Sequence, residues 1–265
     1  MKAEHKSMNT YLKYTLILAG SLCLGGLLGI GFVYFNADDW GDGFKGIFRI
    51  IRGNLLPILV MVFIISVVYG EIVLRKMKAL TGSLSRAEDE ESDRLEYELD
   101  QVGNAGVIAN NILSVLAILI LSTGYSLQYI SDVVKEEKIF VLSAFVIFVI
   151  HSAYGGYWQM RYVKLVQKAY PEKKGDPASR KFQQQWLESC DEAEKEIVFQ
   201  GTYKSYMSVM KILPMLAAVS MITHLLWNTG IMAVFMVGII WIVTVVSYCR
   251  ACMIKKGQQI GRGTK

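Results

Sequence analysis

Apolar and charged positions alternate along this chain in long blocks. A pair of apolar segments is followed by a charged stretch with helical spacing, the arrangement repeats, and a third apolar pair closes the sequence. The six apolar segments are Thr15–Tyr34, Asn54–Leu74, Val107–Tyr129, Ile139–Gln159, Val209–Trp227 and Ile231–Tyr248, and none contains more than one Asp, Glu, Lys or Arg. About 20 predominantly apolar residues in a helix cross the roughly 30 Å hydrocarbon core of a bilayer. A soluble domain of 265 residues would not carry six such runs. The pattern predicts an all-α polytopic membrane protein, with six transmembrane helices in three hairpins forming a single integral membrane domain over residues 1–265.

The charged stretches, 75–106 and 161–206, have helical patterns of their own. The first sets eight acids in the thirteen residues from Glu88 to Asp100, with Leu95, Leu99 and Val102 at i, i+4 and i+7. That spacing gives a helix one apolar edge and an acidic remainder. Gly103, Asn104 and Gly106 then lead into the third apolar segment. In the second stretch, Tyr170-Pro171-Glu172-Lys173-Lys174-Gly175-Asp176-Pro177 reads as a turn built from Pro and Gly. A helix is expected from near Ala178, with Phe182, Trp186, Cys190, Ala193 and Ile197 in one apolar stripe and Glu188, Asp191, Glu192 and Lys195 facing away from it. The two stretches resemble each other in pattern, which suggests a repeated two-span module.

Two features belong to the first apolar pair. Ser21, Gly25 and Gly29 at i, i+4 and i+8 allow close helix approach, either within the chain or across a homodimer seam. In the loop Asn36–Arg52, Lys45, Arg49 and Arg52 share one helical face and Phe44, Ile47, Phe48 and Ile51 the other. A helix lying in the membrane interface as an anchored connector fits this pattern.

Charge then sets a sidedness. With both termini in the cytoplasm, 22 of the 28 Lys and Arg residues flank the spans on the inner side, against five outside: Lys45, Arg49, Arg52, Lys135 and Lys138. Lys and Arg concentrate in cytoplasmic loops, so both charged stretches are expected there. The net charge of +5 follows from this bias, and no direct nucleic-acid partner is implied. The first apolar segment is longer than a usual signal-peptide core and is expected to remain as an anchor. Cys23, Cys190, Cys249 and Cys252 read as small packing residues that stay reduced.

Little chemistry is written into the motifs. There is no His-Glu-x-x-His zinc motif, phosphate-binding Walker loop or Gly-x-Ser-x-Gly elbow. The chain is expected not to be an enzyme, with no cofactor and no metal site. Polar groups inside a membrane are costly and each needs a reason. His151, near the middle of the fourth span, shares a face with Gly155 and Gln159, and His151 with Gln159 forms the candidate intramembrane polar site. A hydrogen bond from His151 to a neighbouring helix is expected. Asn110 and Asn111 are placed to bond across helices, Glu71 and Lys211 to snorkel at span ends, and Pro214 to kink the fifth span.

The second charged stretch carries a resemblance. Pro171-Glu172-Lys173-Lys174-Gly175-Asp176-Pro177, Lys181-Phe182, Trp186, Ser189-Cys190-Asp191-Glu192-Ala193-Glu194 and Tyr203-Lys204-Ser205-Tyr206, with Trp241 and Ser247-Tyr248 in the last span, resemble the bacterial membrane proteins grouped as domain of unknown function 3169. The resemblance implies a multi-pass protein of the bacterial plasma membrane, mainly in Gram-positive bacteria, and implies no activity. It also implies a regulatory partner, since members look similar to small membrane proteins encoded beside helix-turn-helix regulators. Two functions follow as expectations. The first is a regulatory or scaffold protein whose acidic cytoplasmic helices bind a cytosolic partner such as a transcription regulator, with Trp186, Glu188, Asp191, Glu192 and Glu194 as the candidate surface. The second is a transporter, export or immunity component for a small molecule or peptide.

Overall fold

A computed structural model describes Gly46 and residues 49–124 and 135–263 of the chain. The predicted span Thr15–Tyr34, its small residues Ser21, Gly25 and Gly29, Cys23 and most of the first loop lie outside the described residues. All regular structure among the described residues is helical. The main helices are α1 (Leu55–Leu84), α2 (Asp89–Gly124), α3 (Lys135–Ala169), α4 (Phe182–Glu188), α5 (Glu192–Trp227) and α6 (Met232–Gly263). A short helical stretch at 49–53 precedes α1.

Five of these helices, α1, α2, α3, α5 and α6, are long and apolar enough to cross a membrane. Each contains, to within one residue at its start, the described part of one of the last five predicted spans, residues 125–129 of the span Val107–Tyr129 lying outside the described residues. Only 28 % of the apolar window of α1 is buried inside the protein, and none of that of α6. Exposed Ile, Val, Leu, Met and Phe cover the rest. Apolar surface on that scale suits a lipid surround, because a water-facing monomer rarely exposes large contiguous apolar patches.

The described residues divide into two compact units, one of residues 46–202 and one that includes residues 203–263. In the first, α1, α2 and α3 pack on one another. α1 and α3 run parallel: Gly70 meets Trp158, and the next residue, Glu71, meets Arg161, three residues further along α3. α2 runs antiparallel to both, so that Lys76 pairs with Glu98 while Leu59 packs with Ala117. One apolar cluster holds Leu55, Leu59, Val62, Ala117 and Ala144. The other holds Val73, Leu74, Met77, Leu99 and Trp158, with Val102, Tyr162 and Tyr170 against it.

The second cluster explains why α2 is one helix. The predicted apolar edge of the acidic stretch is real: Leu99 is 1 % exposed and Val102 packs beside it. Burying that edge against α1 and α3 holds the acidic turns in helix, and no break separates them from the apolar half.

The helix expected from Ala178 onward is interrupted instead. Residues 178–181 form turns, α4 is two turns long, and the chain bends at Ser189–Asp191 before α5 begins. Asp191 accepts from the Glu194 N–H at 2.8 Å while the Glu194 carboxylate accepts from the Asp191 N–H at 3.0 Å. This reciprocal capping box starts a new helix, so the apolar stripe from Phe182 to Ile197 is cut after Cys190. Ile197 is 71 % exposed. In the unit that includes 203–263, Tyr206 stacks on Tyr248 with centroids 4.1 Å apart. The link between α5 and α6 turns through Asn228 and Gly230, both at positive φ, which these two residue types tolerate. Pro214 lies within α5, which stays helical through it.

Candidate functional site

The most elaborate constellation stands where the apolar halves of α1, α2 and α3 meet their charged extensions. Trp158, 1 % exposed, donates from Nε1 to the Gly70 carbonyl at 3.0 Å and stacks on Tyr162. Glycines make room for it. A Cβ on Gly70 would stand 2.9 Å from the indole, one on Gly106 3.0 Å from it and 2.7 Å from Val73, and one on Gly103 3.0 Å from Tyr162. One turn along, Arg161 forms a forked ion pair with Glu71, at 2.5 and 3.1 Å. The Tyr154 hydroxyl donates toward the Glu71 carboxylate at 3.4 Å, and the Arg161 guanidinium lies over the Tyr157 ring. A fork of this kind fixes the register of two helices as well as neutralising charge.

Deeper in the apolar half, His151 is 3 % exposed, and neither ring nitrogen has a hydrogen-bond partner. The expected bond to a neighbouring helix is absent: the residue facing the imidazole is Phe63, edge-on at 6.3 Å, which offers no acceptor. Ser66, also buried on α1, has an unpartnered hydroxyl. Buried polar groups without partners are uncommon and mark places worth testing. Gln159 is not beside His151. It is exposed and lines a separate cavity of about 430 Å³ with Met160, Pro177, Arg180 and Phe182. Asn111 bonds back to the Val107 carbonyl of its own helix at 2.8 Å. Asn110 stands where α2 and α3 come close, 3.3 Å from where a Cβ on Gly155 would be.

The second charged stretch closes on itself through Lys173. Its side chain is 6 % exposed, pairs with Glu194 and lies 3.5 Å from Cys190 Sγ. Burial pulls the ammonium pKa down, but the hydrogen bond to Glu194 and the proximity of Cys190 outweigh it and leave the net shift upward. Gly175 at φ 134 and the bond from Gln167 to its carbonyl, 2.7 Å, fold the turn back onto α3. The two charged stretches also sense each other: partial desolvation, then the Glu194 charge, raise the Asp100 carboxyl, with Lys173 opposing.

These contacts sort the predicted partner surface. Asp191 and Glu194 serve the capping box and Glu194 also neutralises Lys173, so both work inside the fold. Glu188 accepts from Gln184, Glu192 pairs with Lys195, and both remain exposed. Trp186 packs against Phe182. Glu88, just before α2, and Glu91 and Asp93 in its first turns are exposed, as is Tyr97.

Sequence reasoning missed the Trp158–Gly70 and Glu71–Arg161 pairs. Their partners are about 90 positions apart, and the one local signal was that Gly70, Gly103 and Gly106 gather where apolar runs meet charged ones.

These features define a class: a helical protein with several helices of membrane-spanning length, joined to charged helical extensions that fold against one another. Within that class, residues 8–252 match the family described as a protein of unknown function, DUF3169, and the chain belongs to that family. No curated protein and no solved structure matches it.

Proposed function

We propose that the protein is a multi-pass regulatory or scaffold protein of the bacterial plasma membrane, with both termini and both charged stretches in the cytoplasm. Its task is to hold a soluble, basic partner against the membrane, a transcription regulator being the kind of protein that fits. One observation supports this reading above others. Leu99 is pinned in the apolar cluster, which fixes the first turns of α2, so that Glu88, just before the helix, and Glu91 and Asp93 within it stand exposed as an acidic patch at the end of a membrane-length helix. An acidic patch of fixed geometry steers and orients a basic partner. The exposed Glu188 and Glu192 would extend the same charge onto the second stretch.

The test is affinity capture of the tagged full chain from mild detergent, beside a variant carrying Glu88→Gln, Glu91→Gln and Asp93→Asn. A basic protein held by the parent and lost from the variant, with helix content unchanged by circular dichroism, supports the reading. Identical captured sets, or none from either, refute it. A second reading, transport or export of a small molecule or peptide, draws on the unpartnered His151 and Ser66. Flux into proteoliposomes that His151→Leu leaves unchanged would remove that site.

A further inference from the structure

A second charged feature has the opposite sign and lies where α1 and α3 leave their apolar halves. A cavity of about 490 Å³ opens between these helices. α1 lines it with Glu71, Leu74, Arg75 and Lys78, and α3 with Arg161, Lys164, Leu165 and Lys168. Each set falls at i, i+3, i+4 and i+7, one face of a helix over two turns. Because the helices run parallel in matched register, the two basic faces oppose each other along the whole length of the cavity.

Glu71 neutralises Arg161 and leaves the other four cations facing the same space. Arg75, Lys78, Lys164 and Lys168 are exposed, and none makes a hydrogen bond or ion pair among the described residues. Side chains that carry like charge within a turn or two of one another repel, and this arrangement repeats the problem across two helices. A bound anion resolves it.

The position says which anion. The apolar runs end at Leu74 and Gln159, so the cavity lies at headgroup depth, with Leu74 and Leu165 as its apolar floor. Ile64, Val68 and Tyr157, all exposed, continue the same helix faces toward the membrane centre. A free phosphate would use the charges and ignore that apolar track. A phospholipid would use both. We propose that this cavity is a headgroup site for an anionic phospholipid, with Arg75, Lys78, Lys164 and Lys168 around the phosphate and the Glu71–Arg161 fork as the wall on the membrane side. Basic pockets between spans on the cytoplasmic side are a recurrent way of holding such lipids. The site lies outside the acidic docking patch, so either proposal stands if the other fails.

The test is native mass spectrometry of the full chain released from nanodiscs of phosphatidylcholine containing phosphatidylglycerol. The parent is compared with Lys164→Gln/Lys168→Gln, with Arg75→Gln/Lys78→Gln, and with the charge-matched control Lys195→Gln/Lys204→Gln outside the cavity. Removing two cations is expected to weaken phosphatidylglycerol retention by roughly thirtyfold, from about a fivefold effect per cation. The control should retain lipid like the parent. Because the two cavity variants lie on different helices, one that fails to fold leaves the other to decide. Retention unchanged in the cavity variants, or equally reduced in the control, overturns the proposal. Retention abolished by millimolar inorganic phosphate, with no preference for phosphatidylglycerol over phosphatidylcholine, assigns the cavity to a soluble anion and overturns the lipid.

Discussion

Replacing Gly106 with alanine adds one methyl group to the tightest place in the three-helix unit. The new Cβ would stand 2.7 Å from Val73 Cγ1 and 3.0 Å from two carbons of the Trp158 ring. Unstrained carbon pairs sit about 3.5–4.0 Å apart, so something must yield by roughly 1 Å. Neither neighbour can do so cheaply. Val73 is 4 % exposed, and the indole is held by its bond to Gly70 and its stack on Tyr162. Overpacking of this sort costs about 1–3 kcal/mol, while alanine in place of a helical glycine returns about 0.5–1 kcal/mol. The expected net loss is on the order of 1 kcal/mol, a fall in the unfolding midpoint of ~2–4 °C for a chain of this size. Gly156→Ala is the matched control, because nothing lies within 4 Å of its Cβ position; it should hold or raise the midpoint. Thermal unfolding of the detergent-purified protein, followed by tryptophan fluorescence, reads both. Gly106→Ala as stable as the parent, or Gly156→Ala falling as far, would refute the view that the glycines exist to admit Trp158.

Three further outcomes are expected. Glu71→Arg and Arg161→Glu should each destabilise and their combination recover most of the loss, with a coupling of about 1 kcal/mol because the pair is partly solvated at 30 % and 37 % exposure; no recovery in the double-mutant cycle would show that the fork is incidental. The Lys173 pKa is raised above its ordinary 10.5, so the pair's contribution is fully present below that value and fades as pH rises through the raised one. The midpoint difference between the parent and Glu194→Gln should therefore be constant on the neutral side and shrink in strong alkali, and a difference that grows there would reverse the sign. His151→Leu removes a buried donor and acceptor that have no partners and should leave stability unchanged or raise it by about 1 kcal/mol; a fall of several degrees in the same unfolding assay would mean that the imidazole is bonded after all.

The apolar runs and the helical edge of the acidic stretch were legible because both are local periodicities. Leu99 and Val102 could be assigned to a buried edge from spacing alone. The break between α4 and α5 could also have been read, since Asp191-Glu192-Ala193-Glu194 is a capping box in plain sequence, but a stripe of five apolar residues running across it argued for continuity. Tertiary demand decided otherwise: Lys173 needs Glu194, and the turn that brings them together needs the bend. Nothing local marked Glu71 as the partner of Arg161 or Gly70 as the acceptor for Trp158, because those pairings depend on the relative register of two helices. The orphaned nitrogens of His151 were invisible for the same reason: an imidazole in an apolar run implies a partner, and only the neighbouring helix shows that Phe63 stands there.

The helices of the first unit are 30, 36 and 35 residues long. At 1.5 Å per residue they measure about 45, 54 and 52 Å, against a hydrocarbon core of roughly 30 Å. Most of the excess is at one end, beyond Leu74, Val107 and Gln159. Three rods of this length, set across a bilayer, would pass the headgroup boundary without a joint and so transmit torque. A tilt or rotation imposed on the Glu91 end of α2 would then reach its apolar half through one unbroken helix, with Leu99, packed in one cluster with Met77 and Trp158, as the fulcrum.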